Sequence, residues 1–306
     1  MPFYKGSLHV HTTYSDGEGS ISQIASVYDE LSYDFIYVTD HNVVVPVDEV
    51  IQQGNVLILP GCEVTLTIEE SGEAKTYLHV NGLDVREITI PEPKQSVVET
   101  LQLAVDSIRA AGGIAQLNHP SWNWAYNAED MKQVRGWHMV EIANKHIGAH
   151  IKGGGGIPST EQMWDDVLSS GMRVWGTATD DAHTISCPNW HEYVYNPLPG
   201  KAWVGVQAPE KSPKAIKEAL LNGNFYSSTG VDLDEIKITD TLISLNIHRK
   251  WDRLYTTSFI GQDGEILLID TTLSPSYTIK GTETYIRARI EDSAGFYAWT
   301  QPHWVK

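Results

Sequence analysis

Cysteine is nearly missing from this sequence: Cys62 and Cys187 are the two in 306 residues. Two thiols supply neither a disulfide framework nor a thiolate zinc site, and a reducing compartment suits such a chain. Basic residues are also scarce, 22 Lys and Arg against 39 Asp and Glu, which gives a formal charge of −17 and a pI near 5.0. That balance argues against binding long nucleic acid through an electrostatic footprint, a mode that needs surplus positive charge to displace counterions. A small anionic substrate stays open, because bound cations reverse the local field. No apolar run is long enough for a membrane span, and the opening Met1-Pro2-Phe3-Tyr4-Lys5-Gly6 has no signal-peptide pattern, so a cytoplasmic protein without membrane contact is expected. Low-complexity tracts and internal copies of one motif are absent as well. What the chain does have is 41% hydrophobic residues and a length that suits one barrel-sized unit plus a small one.

The most informative stretch is Leu8-His9-Val10-His11-Thr12-Thr13-Tyr14-Ser15-Asp16-Gly17. Alternate residues of a strand share a face, so His9 and His11 point the same way and Asp16 arrives from the following turn. Five later segments repeat the theme of an apolar strand ending in a His or an acid. They lead to Asp40-His41-Asn42, to Glu63 after Gly61, to His79, to Asn118-His119-Pro120, and to Asp181 and His183. Ligand-type residues at the ends of successive strands are what a barrel-like α/β enzyme gathers at one mouth.

Helices are expected between these strands. Ser20 with Gln23 and Ser159 with Gln162 have capping-box spacing, Val97 to Ala111 has helical periodicity before Gly112, and Pro213 opens a helix closed by Gly223. A short helix is expected over residues 47–53, a hairpin with an acidic tip at Glu69–Glu73, and a mobile loop at Gly153–Gly156. Trp122, Trp124 and Tyr126, just past His119, either wall a pocket or are ordinary core material. From Val231 the pattern changes to short alternating strands, Ile236–Ile238, Leu242–Ile247, Glu265–Ile269 and Tyr285–Ile290, as in an antiparallel sandwich. Trp299 and Trp304 near its end suggest packing against the barrel. The expected domains are 1–230 and 231–306.

Taken together, His-x-His-x4-Asp-Gly, Thr-Asp-His-Asn, Gly-x-Glu, the strand histidine, Asn-His-Pro and Asp-x-His resemble, in order, the motifs of the polymerase and histidinol phosphatase (PHP) superfamily of metal-dependent phosphoesterases. The resemblance runs over residues 7–183, with Gly223–Gly230 similar to the segment that closes many such domains. It implies a distorted (β/α)7 barrel followed by the sandwich, and three divalent ions, Mn, Fe or Zn. His9, His11, Glu63 and Asp181 would hold the first, with Glu63 bridging to a second on His79 and His119. Asp16, His41 and His183 would hold the third. The implied reaction releases phosphate from a small phosphate ester or nucleotide by attack of hydroxide bridging the ions, with Asp40 or His183 passing a proton.

Two other readings compete. Ile290-Glu291-Asp292-Ser293-Ala294-Gly295 with Ala298-Trp299-Thr300-Gln301-Pro302 looks like the sandwich of a carbaryl-hydrolase-like branch, which implies a carboxylic ester or carbamate substrate. A non-catalytic metal-binding module is the third. Lys145, Arg173 and Lys201 are the nearest cations for a phosphate group, and His191 and Lys201 lie in the loop after the Asp-x-His motif, where they are candidate substrate contacts. His138, His146, His150, His191, His248 and His303, with Glu141 and Asn144, are read as structural. The small-molecule substrate is the one expected partner, and oligomerisation is left open.

Overall fold

The structure is a computed structural model that describes residues 1–45, 51–69, 75–186 and 198–305. Its first strands are β1 (Phe3–Ser7), β2 (Phe35–Val38), β3 (Ile51–Gln53), β4 (Val56–Glu69) and β5 (Lys75–Leu83). They are followed by β6 (Ile114–Leu117), β7 (Met139–Asn144), β8 (Trp175–Thr179), β9 (Trp203–Gln207) and β10 (Phe225–Ser228). Helices α1 (Ile21–Glu30), α2 (Val97–Ala110), α3 (Ala128–Gln133), α4 (Thr160–Ser169) and α5 (Pro213–Leu221) connect them.

The helices begin where the capping residues place them. Ser20 and Ser159 form reciprocal capping boxes with Gln23 and Gln162, and Ser212 caps α5 ahead of Pro213. Each such cap satisfies amide donors that the first turn leaves unpaired, worth about 1 kcal/mol. Residues 51–53 are a strand antiparallel to β4 rather than the end of a helix; pairing to an already buried strand overrides local pattern. The remainder of that expected helix, the tip around Glu70–Glu73, Cys187 and His191 lie outside the described residues. Gly153–Gly156 all have positive φ, and Gly154 and Ile157 exchange backbone hydrogen bonds in a tight turn.

The sheet runs β9-β1-β2-β4-β5-β6-β7-β8, parallel at β1–β2, β2–β4, β6–β7 and β7–β8, and antiparallel around β5 and β9. It curls until β8 lies against β9 and β10, where Ser227 Oγ donates to the Gly176 carbonyl at 2.7 Å. The result is a distorted α/β barrel, its strands buried on both faces as parallel strands must be.

After Gly230 come β11 (Leu233–Ile238), β12 (Leu242–Ile247), β13 (Tyr255–Ile260), β14 (Ile266–Asp270), β15 (Ser276–Thr278), β16 (Tyr285–Asp292), β17 (Tyr297–Thr300) and β18 (His303–Trp304). Strands β11-β12-β15 form a separate antiparallel sheet, packed through Ile243, Leu245, Phe259, Ile286 and Ile290 on the sheet of β13 and β16. That second layer is not independent of the barrel: β17 pairs with β10, so one hydrogen-bonded sheet crosses from barrel to sandwich. Tyr285 and Trp299 share a core cluster with α2 and α4. The junction is further tied by Arg287, 1% exposed, which donates to both carboxylate oxygens of Asp165 at 2.8 and 2.6 Å and lies 2.8 Å from Glu161. Among the described residues no helix is long and apolar enough to cross a membrane.

Candidate metal centre

Extended backbone continues past β1, and the bridge of Val10 to Ala182 fixes it against the segment after β8. His9 and His11 are therefore completely buried on one side of that strand. The turn after them is closed by Gly17, whose N–H donates to the Thr12 carbonyl at 2.9 Å and where a Cβ would stand 2.5 Å from the His11 carbonyl. Asp40, at the end of β2, holds the same turn. Its carboxylate accepts the Thr12 N–H and Oγ1–H and the Ser15 N–H and Oγ–H at 2.7 to 2.9 Å. That engagement leaves Asp40 behind the site: it does not line the pocket, and the partner at His41 Nδ1 is Thr65 Oγ1 at 2.6 Å.

The structure brings all nine expected ligands, His9, His11, Asp16, His41, Glu63, His79, His119, Asp181 and His183, to one mouth of the barrel. His9 and His11 point Nε2 atoms at each other 3.0 Å apart, and each lies 3.2 to 3.4 Å from oxygens of Glu63 and Asp181. Ligands bonded at about 2.1 Å to one tetrahedral ion stand about 3.4 Å apart, so these spacings suit convergence on a common cation. Glu63 Oε1 is also 3.2 Å from His79 Nδ1 and 3.6 Å from His119 Nε2. Asp16, 55% exposed, lies 3.5 to 3.6 Å from His11, His41 and His183. Three overlapping groups result: His9-His11-Glu63, His41-Glu63-His79, and His11-Asp16-His41-His183.

A divalent ion fits this donor set for a reason visible at Glu63. Its Oε2 is buried and accepts no hydrogen bond, although His41 Nδ1 and His11 Nε2 stand 3.0 and 3.4 Å away. An unpaired carboxylate oxygen among imidazole nitrogens is costly without a cation. Burial alone would raise the Glu63 carboxyl, yet the facing His9, His79 and His41 hold it well below the usual range. Conversely burial lowers His9 and His183, but Asp181 and Glu63 raise His9 well above its ordinary value, and Asp16 and Asp181 raise His183 to about 9. Protons on these rings occupy the place a cation would take, so metal binding must displace them.

Glu141 and Asn144, both on β7, read as structural from the sequence, and their place in the structure is as supports of this centre. Glu141 Oε1 accepts His9 Nδ1–H at 2.7 Å and Thr179 Oγ1–H at 2.6 Å, which aims His9 Nε2 at the cluster, where it can bind an ion once its proton is displaced. Its Oε2 accepts the His119 N–H, stabilising a backbone with φ of 22° that favours few side chains, and the Asn144 amide, which also donates to Asp181. The available signal is that Glu141 is an acid within an otherwise apolar strand segment, as Glu63 is. Glu141→Gln replaces one acceptor by a donor facing His9, and metal affinity measured by titration is expected to fall about 10- to 100-fold with little change in fold. Unchanged affinity would refute that role.

The ligands surround a pocket of about 340 Å³, walled also by Glu18, Trp122, His146 and Thr184. Of the three aromatics after His119, only Trp122 reaches it. Trp124 stacks on His150 with ring centroids 4.9 Å apart, and Tyr126 is buried with its hydroxyl donating to the Asn118 carbonyl. His138 accepts the Ala115 N–H and His248 pairs with Asp234, both away from the centre. The expected phosphate-binding cations are elsewhere as well: Lys145 borders a larger cleft between barrel and sandwich, Arg173 lies over Trp304, and the Lys201 backbone N–H donates to Asp180.

Residues 7–129 match the family of the PHP domain. A solved two-domain protein containing a predicted PHP-like metal-dependent phosphoesterase, from Bacteroides vulgatus ATCC 8482, is similar over 94% of this chain and 90% of its own, at 17% identity and a TM-score of 0.50. PsfC from Pseudomonas syringae PB-5123 is similar over 72% of this chain and 88% of its own, at 15% identity and a TM-score of 0.45. No curated protein matches the chain. The first of these likenesses agrees with the barrel-plus-sandwich fold described above.

Proposed function

We propose that this chain is a metal-dependent hydrolase, and specifically a phosphoesterase that releases phosphate from a small phosphate ester or nucleotide. The observation that carries the reading is the convergence of six histidines and the carboxylates of Asp16 and Asp181 around Glu63, whose inner oxygen has no hydrogen-bond donor among the described residues. The match of residues 7–129 to the PHP domain supports it.

In this reading His9, His11, Glu63 and Asp181 hold one divalent ion, Glu63 with His79 and His119 a second, and Asp16, His41 and His183 a third. Mixed imidazole and carboxylate donors accept Mn, Fe or Zn. Such ions supply Lewis acidity toward water and toward the ester oxygens. The chain's own groups do the rest. Glu141 and Asn144 keep the ligands in register, and Trp122 closes one side of the pocket against bulk water. His183 donates Nδ1–H to the Asp181 carbonyl at 2.9 Å, so Nε2 is the atom that binds an ion or takes up a proton. Asp40 is assigned to holding the Thr12–Ser15 turn, not to proton transfer.

The same donors suit a carboxylic ester or carbamate, and a panel separates the two. Protein reconstituted with Mn, Fe or Zn is offered phosphomonoesters, phosphodiesters, nucleotides and aryl carbamates, with His9→Ala as control. Phosphate release that vanishes in the variant and in chelator is the expected result. Carbamate or ester turnover without phosphate release transfers the protein to the second class, and failure to bind any of these ions defeats both.

A further inference from the structure

The pocket wall carries one histidine, among the described residues, that none of the three proposed ion sites uses. His146 follows β7 and caps a short turn at Ile147–Ala149, and its Nδ1 accepts the Gly148 N–H at 3.1 Å. An imidazole nitrogen that accepts carries no proton, so the ring is neutral and its proton sits on Nε2. Trp122 packs edge-on against it with centroids 4.4 Å apart, and the His183 ring lies 6.2 Å away. Gly148 belongs to this packing, because a Cβ there would come within 2.7 Å of the Trp122 ring. The ring is thus held in one orientation at the pocket wall, with Nε2–H as its remaining polar atom. Thr184, which also lines this pocket, is 6% exposed and its hydroxyl has no hydrogen-bond partner among the described residues.

We propose that His146 is a further catalytic residue of this pocket, donating its Nε2–H to an oxygen of the scissile phosphoryl or acyl group, with the Thr184 hydroxyl as a second donor beside it. The inference rests on the hydrolase reading and adds a contact to substrate that does not pass through the ions. A donor fixed before substrate arrives costs no reorganisation, and its hydrogen bond strengthens as negative charge builds on the oxygen. A neutral ring also adds this donor without bringing a further charge to the crowded centre.

The test uses zinc-loaded full-length protein with p-nitrophenyl phosphate, bis(p-nitrophenyl) phosphate and p-nitrophenyl acetate as probes, and inorganic phosphate as binding ligand. His146→Ala is expected to lower kcat by about 100-fold, with KM changed far less and bound zinc per chain unaltered. His146→Gln returns an N–H donor and recovers about tenfold of that loss; Thr184→Val, which keeps its volume, lowers kcat by about tenfold. In histidine 15N spectra His146 is expected to show the Nε2–H tautomer and its Nε2 signal to shift on addition of inorganic phosphate, which a merely structural ring would not do. His146→Ala retaining kcat within about threefold, or losing activity only in step with zinc, overturns the proposal. Should the wild type hydrolyse none of the probes, the hydrolase reading fails while phosphate affinity in calorimetry still decides the contact: a fall of about tenfold in His146→Ala supports it and no change removes it.

Discussion

Glu63→Gln is expected to remove turnover and most of the bound metal while leaving the barrel folded. The substitution keeps the shape of the side chain and its hydrogen bond from the Asn118 amide is the smaller loss. The charge that faces His9, His41, His79 and His119 goes, and an amide nitrogen cannot bind an ion. Removing one partner of a buried charged set costs about 3–5 kcal/mol, roughly three orders of magnitude in affinity or rate. Metal content by mass spectrometry, kcat/KM and thermal melting with and without added zinc check it together. A variant that retained metal and activity would mean that the carboxylate is not the hub of the centre. Melting should also separate two effects: the wild type gains stability from added ion by mass action, and Glu63→Gln gains little.

The second large effect is one of stability, not chemistry. Arg287→Ala strands Asp165 and Glu161 at the junction of α4 with β16, and it opens a space over Trp164, whose ring lies 5.0 Å from the guanidinium. Breaking such a buried pair costs about 3–5 kcal/mol, which for a chain of this size lowers Tm by about 10 °C. Acid modulates the effect. Burial raises Glu161, but Arg287 and Arg289 pull harder and hold it below its ordinary 4.5. Stability from that pairing is complete above pH 4.5 and is lost as pH falls through the depressed value, so the gap in Tm between wild type and variant should narrow at pH 3. A gap that stayed constant from pH 7 to pH 3 would exclude Glu161 as the responsible partner. The metal centre lies elsewhere in the barrel, and metal content of Arg287→Ala at 20 °C should match the wild type.

How much of this was legible in the sequence depends on how local the cause is. His9 and His11 are two residues apart on a strand, and His41, Glu63, His119, Asp181 and His183 follow close after apolar runs, so period and position already suggest one mouth. Capping boxes at Ser20 and Ser159 are equally local, and both helices start there. Glu141 is not legible in this way, because its work consists of five hydrogen bonds, four with residues 22 or more positions away and one with Asn144 three on, none of which leaves a mark in spacing. His146 reads as structural because its meaning comes from a tautomer fixed by the Gly148 N–H and from packing on the distant Trp122, neither of which the sequence pattern shows. Asp40 sits in a motif that suggests a proton carrier, and only the geometry shows its oxygens engaged by Thr12 and Ser15. Residues 51–53 depart from the helix their local pattern predicts because pairing with β4 decides their conformation, and that partner is set by tertiary structure.

The crossing of one sheet from barrel to sandwich also constrains how the chain reaches its native state. Strand β10 has β9 on one side and β17 on the other, so the edge left by residue 228 remains open until residues 297–300 have been made. During synthesis the ligand-bearing half can collapse early, but its last strand then presents an uncovered backbone edge to neighbouring chains for the time needed to add some seventy residues. Acquisition of the final fold is thus gated by a late segment, and stalling or truncation before β17 would yield a species prone to aggregate even though every proposed metal ligand is already present.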